Sequence, residues 1–309
     1  MFKKLMSAVA AAALCVSLAA CGATATSEAA AEATATPAPA VTEAPAEEIA
    51  SAETADGALR VAGLKGPTTM GLVNLMAGED AADYDFEMYG KADEIVPQLV
   101  KGELDAAAVP ANLAATLYQK TNGAIEVACI NTLGVLYVVE NGEEDLKGKT
   151  IVTTGKGTTP EYVLRYILTE NGVDPDNDVT LDFYSEATEA LAQLQAGTST
   201  IAMLPQPFVV VAMGQVEGLR VALDLTEQWN ALGGDSQLIT AVLLVRSEFL
   251  DQHPQAVDQF MKEYAASAAF VNDQPAEAAV LVEKYGIVKA AVAEKAIPAC
   301  NIVCLLGDE

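Results

Sequence analysis

The chain predicts an α/β protein of two similar lobes, each built on a mainly parallel sheet flanked by helices. Three observations carry this. From Leu59 onward, short β-branched runs alternate with amphipathic segments at the spacing of βαβ units. The stretch 91–113 is echoed by 186–208, with coincidences at Ala92/Ala187, Glu94/Glu189, Gln98/Gln193, Leu99/Leu194, Gly102/Gly197, Ala107/Ala202 and Pro110/Pro205. A shorter echo sets Lys65-Gly66-Pro67-Thr68-Thr69 against Lys156-Gly157-Thr158-Thr159-Pro160, each at a strand-to-helix junction. Ala-rich sequence can match itself by chance. Two echoes in the same order and at near-equal spacing favour two lobes of one topology.

The elements follow in order. LRVAGL reads as a strand, MGLVNLMA as a helical pattern and YDFEMYG as a second strand. ADEIVPQLVKG reads as a helix despite Pro97, AAAV as a strand ended by Pro110, and ANLAATLYQK as a helix. IEVACINT and LGVLYVVEN are extended. The scheme then restarts with the strand KTIVTT and a helix whose apolar stripe is Val163, Leu164, Ile167 and Leu168, closed by Asn171-Gly172. VTLDFYS (strand), EATEALAQLQAG (helix) and TSTIAML (strand) come next. PQPFVVVAMGQ reads as a helix, LRVALDL as a strand and QLITAVLLVR as an extended run. The remainder is helical up to NIVCLLGDE.

The N-terminus is of another kind. Lys3 and Lys4 precede an apolar stretch from Leu5 to Ala20, the pattern of a secretory signal. It ends in Leu18-Ala19-Ala20-Cys21-Gly22, which resembles a bacterial lipobox and implies lipidation of Cys21. From Gly22 to Gly57 the chain is Ala, Thr, Glu and Pro with almost no large apolar residue, the composition of a disordered acidic tether. An anchored body at the extracytoplasmic face of the cell membrane is expected. The formal net charge is −26 at pH 7, and the signal would remove two lysines and no acid. Such a charge argues against nucleic acid or an anionic lipid surface as partner. It leaves a small anion open, because local dipoles govern a buried site.

Cys129, Cys300 and Cys304 have the irregular spacing of buried thiols rather than of a disulfide framework. With His253 as the one histidine, no metal and no cofactor is expected. Nor does the sequence contain Gly-x-Ser-x-Gly or a His-based metal motif, so an enzyme is not expected.

In an open parallel sheet, ligands bind beyond the carboxyl ends of the strands, where helix N-termini point outward. Both Gly-Thr-Thr segments fall there. Their glycines let backbone approach a ligand, and their hydroxyls and N–H groups suit a negative or carbonyl oxygen. The alternative is plain capping: Thr158 with Glu161 fits a capping box and Pro160 suits a first turn. A mirrored pair across two lobes moves ligand binding ahead. The substrate-binding candidates are therefore Lys65, Gly66, Thr68, Thr69, Gly157, Thr158 and Thr159. Asn112 and Gln206, after the proline breaks, either project amides into the cleft or are turn residues. Tyr89, Tyr162, Tyr184 and Phe208 lie near strand ends, where aromatic residues are more often core.

The lipobox, the tether, LRVAGLKGPTTMGLVNLM, the GKGTTPEYVLRYIL junction and the closing helices resemble substrate-binding lipoproteins of ABC importers. The group in question is the nitrate/sulfonate/taurine and thiamine-precursor (NMT1/THI5-like) family. The resemblance implies a two-lobed periplasmic-binding-protein fold with two crossover strands. It implies a signal at 1–20, a tether at 21–57, one lobe from 58–136 and 241–309, and a second from 137–240. Ligand contacts would come from Gly66, Thr68 and Thr69 and from Gly157, Thr158 and Thr159. A further helix beyond Glu309 would match the family pattern. The expected function is a monomeric, lipid-anchored receptor that hands a small polar solute to an ABC permease and its ATPase. The solute is either a sulfonate- or taurine-like oxyanion or a pyrimidine-type heterocycle. A ligand sensor of the same fold is the alternative, and an extracytoplasmic enzyme the more distant one.

Overall fold

The computed structural model describes residues 58–78, 83–142 and 146–307. Cys21, the leader and the tether lie outside the described residues. The chain divides into the units Met1–Ala44 and Pro45–Glu309, and every described residue belongs to the second.

Strand β1 (Leu59–Leu64) leads through the short helices α1 (Pro67–Met70) and α2 (Val73–Ala77) to β2 (Tyr84–Tyr89). Helix α3 (Ala92–Val100), β3 (Ala106–Pro110), α4 (Asn112–Lys120) and β4 (Ile125–Leu133) complete the first pass. The second pass begins with β5 (Leu136–Asn141) and β6 (Thr150–Thr154), followed by α5 (Thr159–Glu170) and β7 (Thr180–Tyr184). Next come α6 (Ala187–Gln195), β8 (Ile201–Pro205), α7 (Phe208–Gln215), β9 (Leu219–Asp224) and α8 (Leu225–Ala231). The chain then returns through β10 (Ile239–Arg246) to α9 (Ser247–Gln252), α10 (Pro254–Asp273), α11 (Pro275–Lys284), α12 (Ala290–Ala296) and β11 (Ile302–Leu305).

The described strands form two sheets, one of six in the order β11-β4-β10-β3-β1-β2 and one of five in the order β7-β6-β8-β5-β9. Three strands of each are parallel neighbours, β2-β1-β3 and β7-β6-β8. In each sheet the strand beside this trio runs antiparallel: β10 against β3, and β5 against β8. These two are the crossover strands. The chain leaves the six-stranded sheet at Leu133 and enters the five-stranded one at Leu136, then returns between Asp224 and Ile239. A strand crossing from the other lobe begins at the cleft, where the parallel strands end, so it runs antiparallel to its neighbour in the trio.

The echoed segments occupy equivalent places. Helices α3 and α6 span Ala92–Val100 and Ala187–Gln195, and the strands after them end on Pro110 and Pro205. Each helix starts with the same device: Glu94 and Glu189 accept from the backbone N–H of Lys91 and Glu186, three residues earlier. Each is followed by a glycine in the left-handed region, Gly102 (φ 73°) and Gly197 (φ 68°). Pro97 is tolerated within α3.

Apolar clusters cover both faces of each sheet. Met70, Leu72, Phe260 and Tyr264 pack on one face of the six-stranded sheet, and Ile95, Leu99 and Leu117 on the other. The stripe Val163, Leu164, Ile167 and Leu168 is buried against the five-stranded sheet. Cys129 and Cys300 are buried in the first cluster, with Cys304 packed against it. Burial pushes the Cys300 thiol up to about 12. One buried electrostatic knot ties three strands together. Asp105, fully buried, accepts from the Arg60 backbone N–H at 3.0 Å, its Nε at 2.8 Å and its Nη2 at 2.6 Å, and pairs with buried Arg246 at 3.5 Å.

The β1–α1 turn is tight. A Cβ built on Gly63 would collide with Thr69 Oγ1, which donates to Leu64 O at 2.6 Å and is buried. Gly63→Ala should therefore lower the unfolding free energy by about 1–3 kcal/mol, the usual cost of overpacking. Urea denaturation measures it, and an unchanged midpoint would show slack in this turn.

Candidate functional site

The carboxyl ends of β1, β2 and β3 face those of β6, β7 and β8 across a cleft of about 350 Å³. The β1–α1 turn supplies Lys65, Gly66 and Thr68 to one wall, and the β6–α5 turn supplies Gly155, Lys156 and Thr158 to the other. The β2–α3 and β7–α6 turns add a second mirrored pair, Lys91 and Asp93 opposite Ser185 and Glu186. Phe183, Tyr184 and Phe208 give one side an aromatic surface. Both crossovers form the floor, through Val135 and Leu136 and through Thr240 and Ala241.

The candidate residues separate on inspection. Lys65, Gly66, Thr68 and Thr158 line the cleft. Thr69, Asn112, Gly157, Thr159 and Gln206 are not among its lining residues. Thr69 turns back to close the β1–α1 turn on Leu64 O. Gln206 is buried, with its backbone N–H on Val135 O at 3.0 Å and no partner for Oε1 among the described residues. Asn112 and Thr159 bind each other across the two lobes. Thr159 N donates to Asn112 Oδ1 at 2.8 Å, Asn112 N to Thr159 Oγ1 at 3.0 Å, and Asn112 Nδ2 to Gly157 O at 3.1 Å. Of the aromatic candidates, Tyr184 and Phe208 reach the cleft. Tyr162 is exposed, and Tyr89 bonds Glu87 and Gln98.

The start of α5 departs from a capping box. Thr158 Oγ1 donates to Gly155 O at 2.6 Å rather than accepting from the helix. Glu161 reaches one residue further back than the box requires, and its Oε2 accepts from Gly157 N at 2.7 Å. Gly157 has φ 73°, so the turn presents that N–H inward. Glu161 also pairs with Arg165 at 2.8 Å. Burial works to raise the Glu161 carboxyl pKa, but the Gly157 N–H and Arg165 outweigh it, and the net shift is downward. A lowered folded-state pKa contributes stability that is present above the unfolded value of about 4.3 and lost as pH falls through the folded value. Glu161→Gln should flatten the loss of stability between about pH 5 and pH 3. Denaturation midpoints of both proteins across that range check it, and parallel pH profiles would count against this cap.

Hydrogen-bond polarity matters more than residue type here. Thr68 Oγ1 donates to Leu64 O at 3.0 Å, and Thr158 Oγ1 to Gly155 O. A carbonyl only accepts, so both hydroxyl protons are committed and the oxygens keep lone pairs. The first amides at the start of α5 are taken by Glu161 and Asn112. On the floor, Thr240 is 7 % exposed and its Oγ1 has no hydrogen-bond partner among the described residues. Beneath the β1–α1 turn, buried Asn131 donates from Nδ2 to Thr68 O at 3.3 Å and holds that turn in place. Nothing in the linear pattern marked Thr240 or Asn131, which arrive on β10 and β4 from distant sequence. The Lys91/Glu186 pair did carry a signal, since the longer echo begins on those residues.

The NMT1-like family model matches residues 87–285, well over half of the chain. The chain belongs to the NMT1-like family. An ABC transporter from Parabacteroides distasonis is 25% identical, with a TM-score of 0.69 over 81% of this chain and 87% of that one. The periplasmic aliphatic sulphonate-binding protein SsuA from Escherichia coli is 16% identical, with a TM-score of 0.65 and 80% of each chain covered. The periplasmic nitrate-binding protein NrtA from Synechocystis PCC 6803 is 13% identical, with a TM-score of 0.59 over 73% of this chain and 65% of that one. No curated protein matches. This member of the NMT1-like family thus has the two-lobed fold of periplasmic binding proteins, and its structural neighbours include an ABC transporter and periplasmic sulphonate- and nitrate-binding proteins.

Proposed function

We propose that this NMT1-like protein is the extracytoplasmic solute receptor of an ABC importer. It would close residues 58–136 and 241–309 over residues 137–240 and deliver the captured solute to a permease with its ATPase. Closure is a hinge motion, and a solute shifts it only by binding the closed form more tightly. The same reading keeps Cys21 as a lipid anchor on the outer face of the membrane, the body as a monomer, and the chemistry as binding without bond making. A ligand sensor of the same fold would lack a permease and an ATPase among its neighbouring genes.

The buried, unpartnered Thr240 Oγ1 on the cleft floor carries the reading, because a solute that bonds it would satisfy a group the fold leaves open. The polarity of the walls favours one of the two solute classes. An oxyanion needs converging donors. Here Thr68 and Thr158 offer lone pairs, the α5 amides are occupied, and Glu186 lies on the wall. Lys65, Lys91 and Lys156 supply positive charge around the cleft on flexible stems. A flat heterocycle carrying N–H donors fits better: it would donate to Thr68, Thr158 or Thr240 and stack on Phe183 or Phe208.

A thermal-shift screen of alkanesulfonates, taurine, nitrate, pyrimidines and amino acids tests this. Stabilisation by an N–H-bearing heterocycle is expected. Stabilisation by sulfonates alone would overturn the solute class, and no stabilisation by any small molecule would remove support for the receptor.

A further inference from the structure

A polar and reciprocal connection joins the two lobes beside β10, where Ala111 N, next to Asn112, donates to Thr240 O on the cleft floor at 3.0 Å. Asn112 stands at the first position of α4, behind the Pro110 break, and Thr159 at the first position of α5. Asn112 donates from its backbone N to Thr159 Oγ1 and from Nδ2 to Gly157 O, while its Oδ1 accepts from both the Thr159 backbone N at 2.8 Å and Thr159 Oγ1 at 3.2 Å. Each residue thus satisfies helix-start groups of the opposite lobe. Such groups have no partner inside their own helix and must find one elsewhere. Gly157 (φ 73°) turns its carbonyl toward Asn112 as it turns its N–H toward Glu161.

We propose that Asn112 is an interlobe latch: its carboxamide holds the closed arrangement by bridging the starts of α4 and α5, and so sets how readily a bound solute escapes. Asn112 is then a positioning residue and not a solute contact, in keeping with its absence from the cleft lining. The proposal rests on the reading of the two bodies as lobes that close over a solute. In an open form, water would satisfy the same groups, so the latch contributes only the net difference between the two sets of hydrogen bonds. Three bonds to the Asn112 side chain are lost in Asn112→Ala, while the backbone N–H bond to Thr159 Oγ1 remains. At ordinary net values per bond, the open-to-closed ratio should rise about 10- to 100-fold.

The test needs no knowledge of the solute. Small-angle X-ray scattering of the purified chain without added small molecules should give a larger radius of gyration for Asn112→Ala than for wild type. Amide exchange at Thr159 should accelerate by at least about 10-fold. Thr159→Val removes the hydroxyl from the other side, keeps the Thr159 N–H bond to Oδ1, and should shift scattering in the same direction by less. Alanine is a good helix former, so α4 is retained. Scattering by Asn112→Ala that superimposes on wild type would overturn the latch. Failure of the receptor reading looks different, with no solute stabilising the protein while Asn112→Ala still enlarges it.

Discussion

Asp105→Ala is expected to lower the unfolding free energy by about 3–5 kcal/mol, the usual cost of removing one partner from a buried ion pair. The carboxylate is fully buried and receives three hydrogen bonds from Arg60, one of them from its backbone. It also faces Arg246, only 3 % exposed, which pairs with Glu248 on the adjoining α9 as well. Arg60 lies on β1, Asp105 immediately before β3 and Arg246 at the end of β10, so one carboxylate joins three strands that are far apart in sequence. The Arg246 backbone N–H donates to Asp105 O as well, at 2.9 Å, which fixes the register at that corner. Asp105→Asn should recover part of the loss, since an amide keeps an acceptor for Arg60 while giving up the charge. Chemical denaturation of the three proteins measures the order wild type, Asn, Ala. An alanine variant within about 1 kcal/mol of wild type would show that the knot contributes little net stability.

Thr240→Val should move stability and binding in opposite directions. Valine has nearly the shape of threonine and lacks the hydroxyl, so the substitution removes a buried group that has no hydrogen-bond partner among the described residues. Leaving such a group unsatisfied costs about 1–3 kcal/mol, and deleting it should raise the unfolding free energy of the protein alone by about 1 kcal/mol. The same change removes the unpartnered hydroxyl of the cleft floor, and affinity for the solute found in the thermal-shift screen should fall about 10-fold. A site held in an unsatisfied state for its ligand trades stability for function in this way. Melting temperature and calorimetric affinity on one pair of proteins decide it. Unchanged affinity with raised stability would leave Thr240 a packing defect and take it out of the site.

The elements that sequence exposes most clearly are those whose signals are local. Both Gly-Thr-Thr turns stand at strand-to-helix junctions, and the echo of 91–113 in 186–208 corresponds to α3-β3 and α6-β8. Apolar periodicity, capping carboxylates and a glycine in the left-handed region after each helix act within a few residues, so they can be read without knowing the fold. The capping of α5 was only half legible. Glu161 caps the turn, but it reaches Gly157 because the positive φ there aims an N–H at it, and Thr158 is drawn to Gly155 O instead. Residue type announced a hydroxyl at the cleft, and its direction depended on which carbonyl lay nearby.

By itself the sequence determined an α/β chain of two echoed halves with facing loop-to-helix junctions, because hydrophobic period and turn chemistry are properties of neighbouring residues. Tertiary structure alone decided that Thr240 lies on the floor, that Asn112 binds Thr159 instead of lining the cleft, and that Thr68 and Thr158 on the walls give their hydroxyl protons to backbone carbonyls and keep their lone pairs. Each of those outcomes depends on a partner or a position brought into reach by folding, and the polarity of a hydroxyl is set by the partner its proton finds.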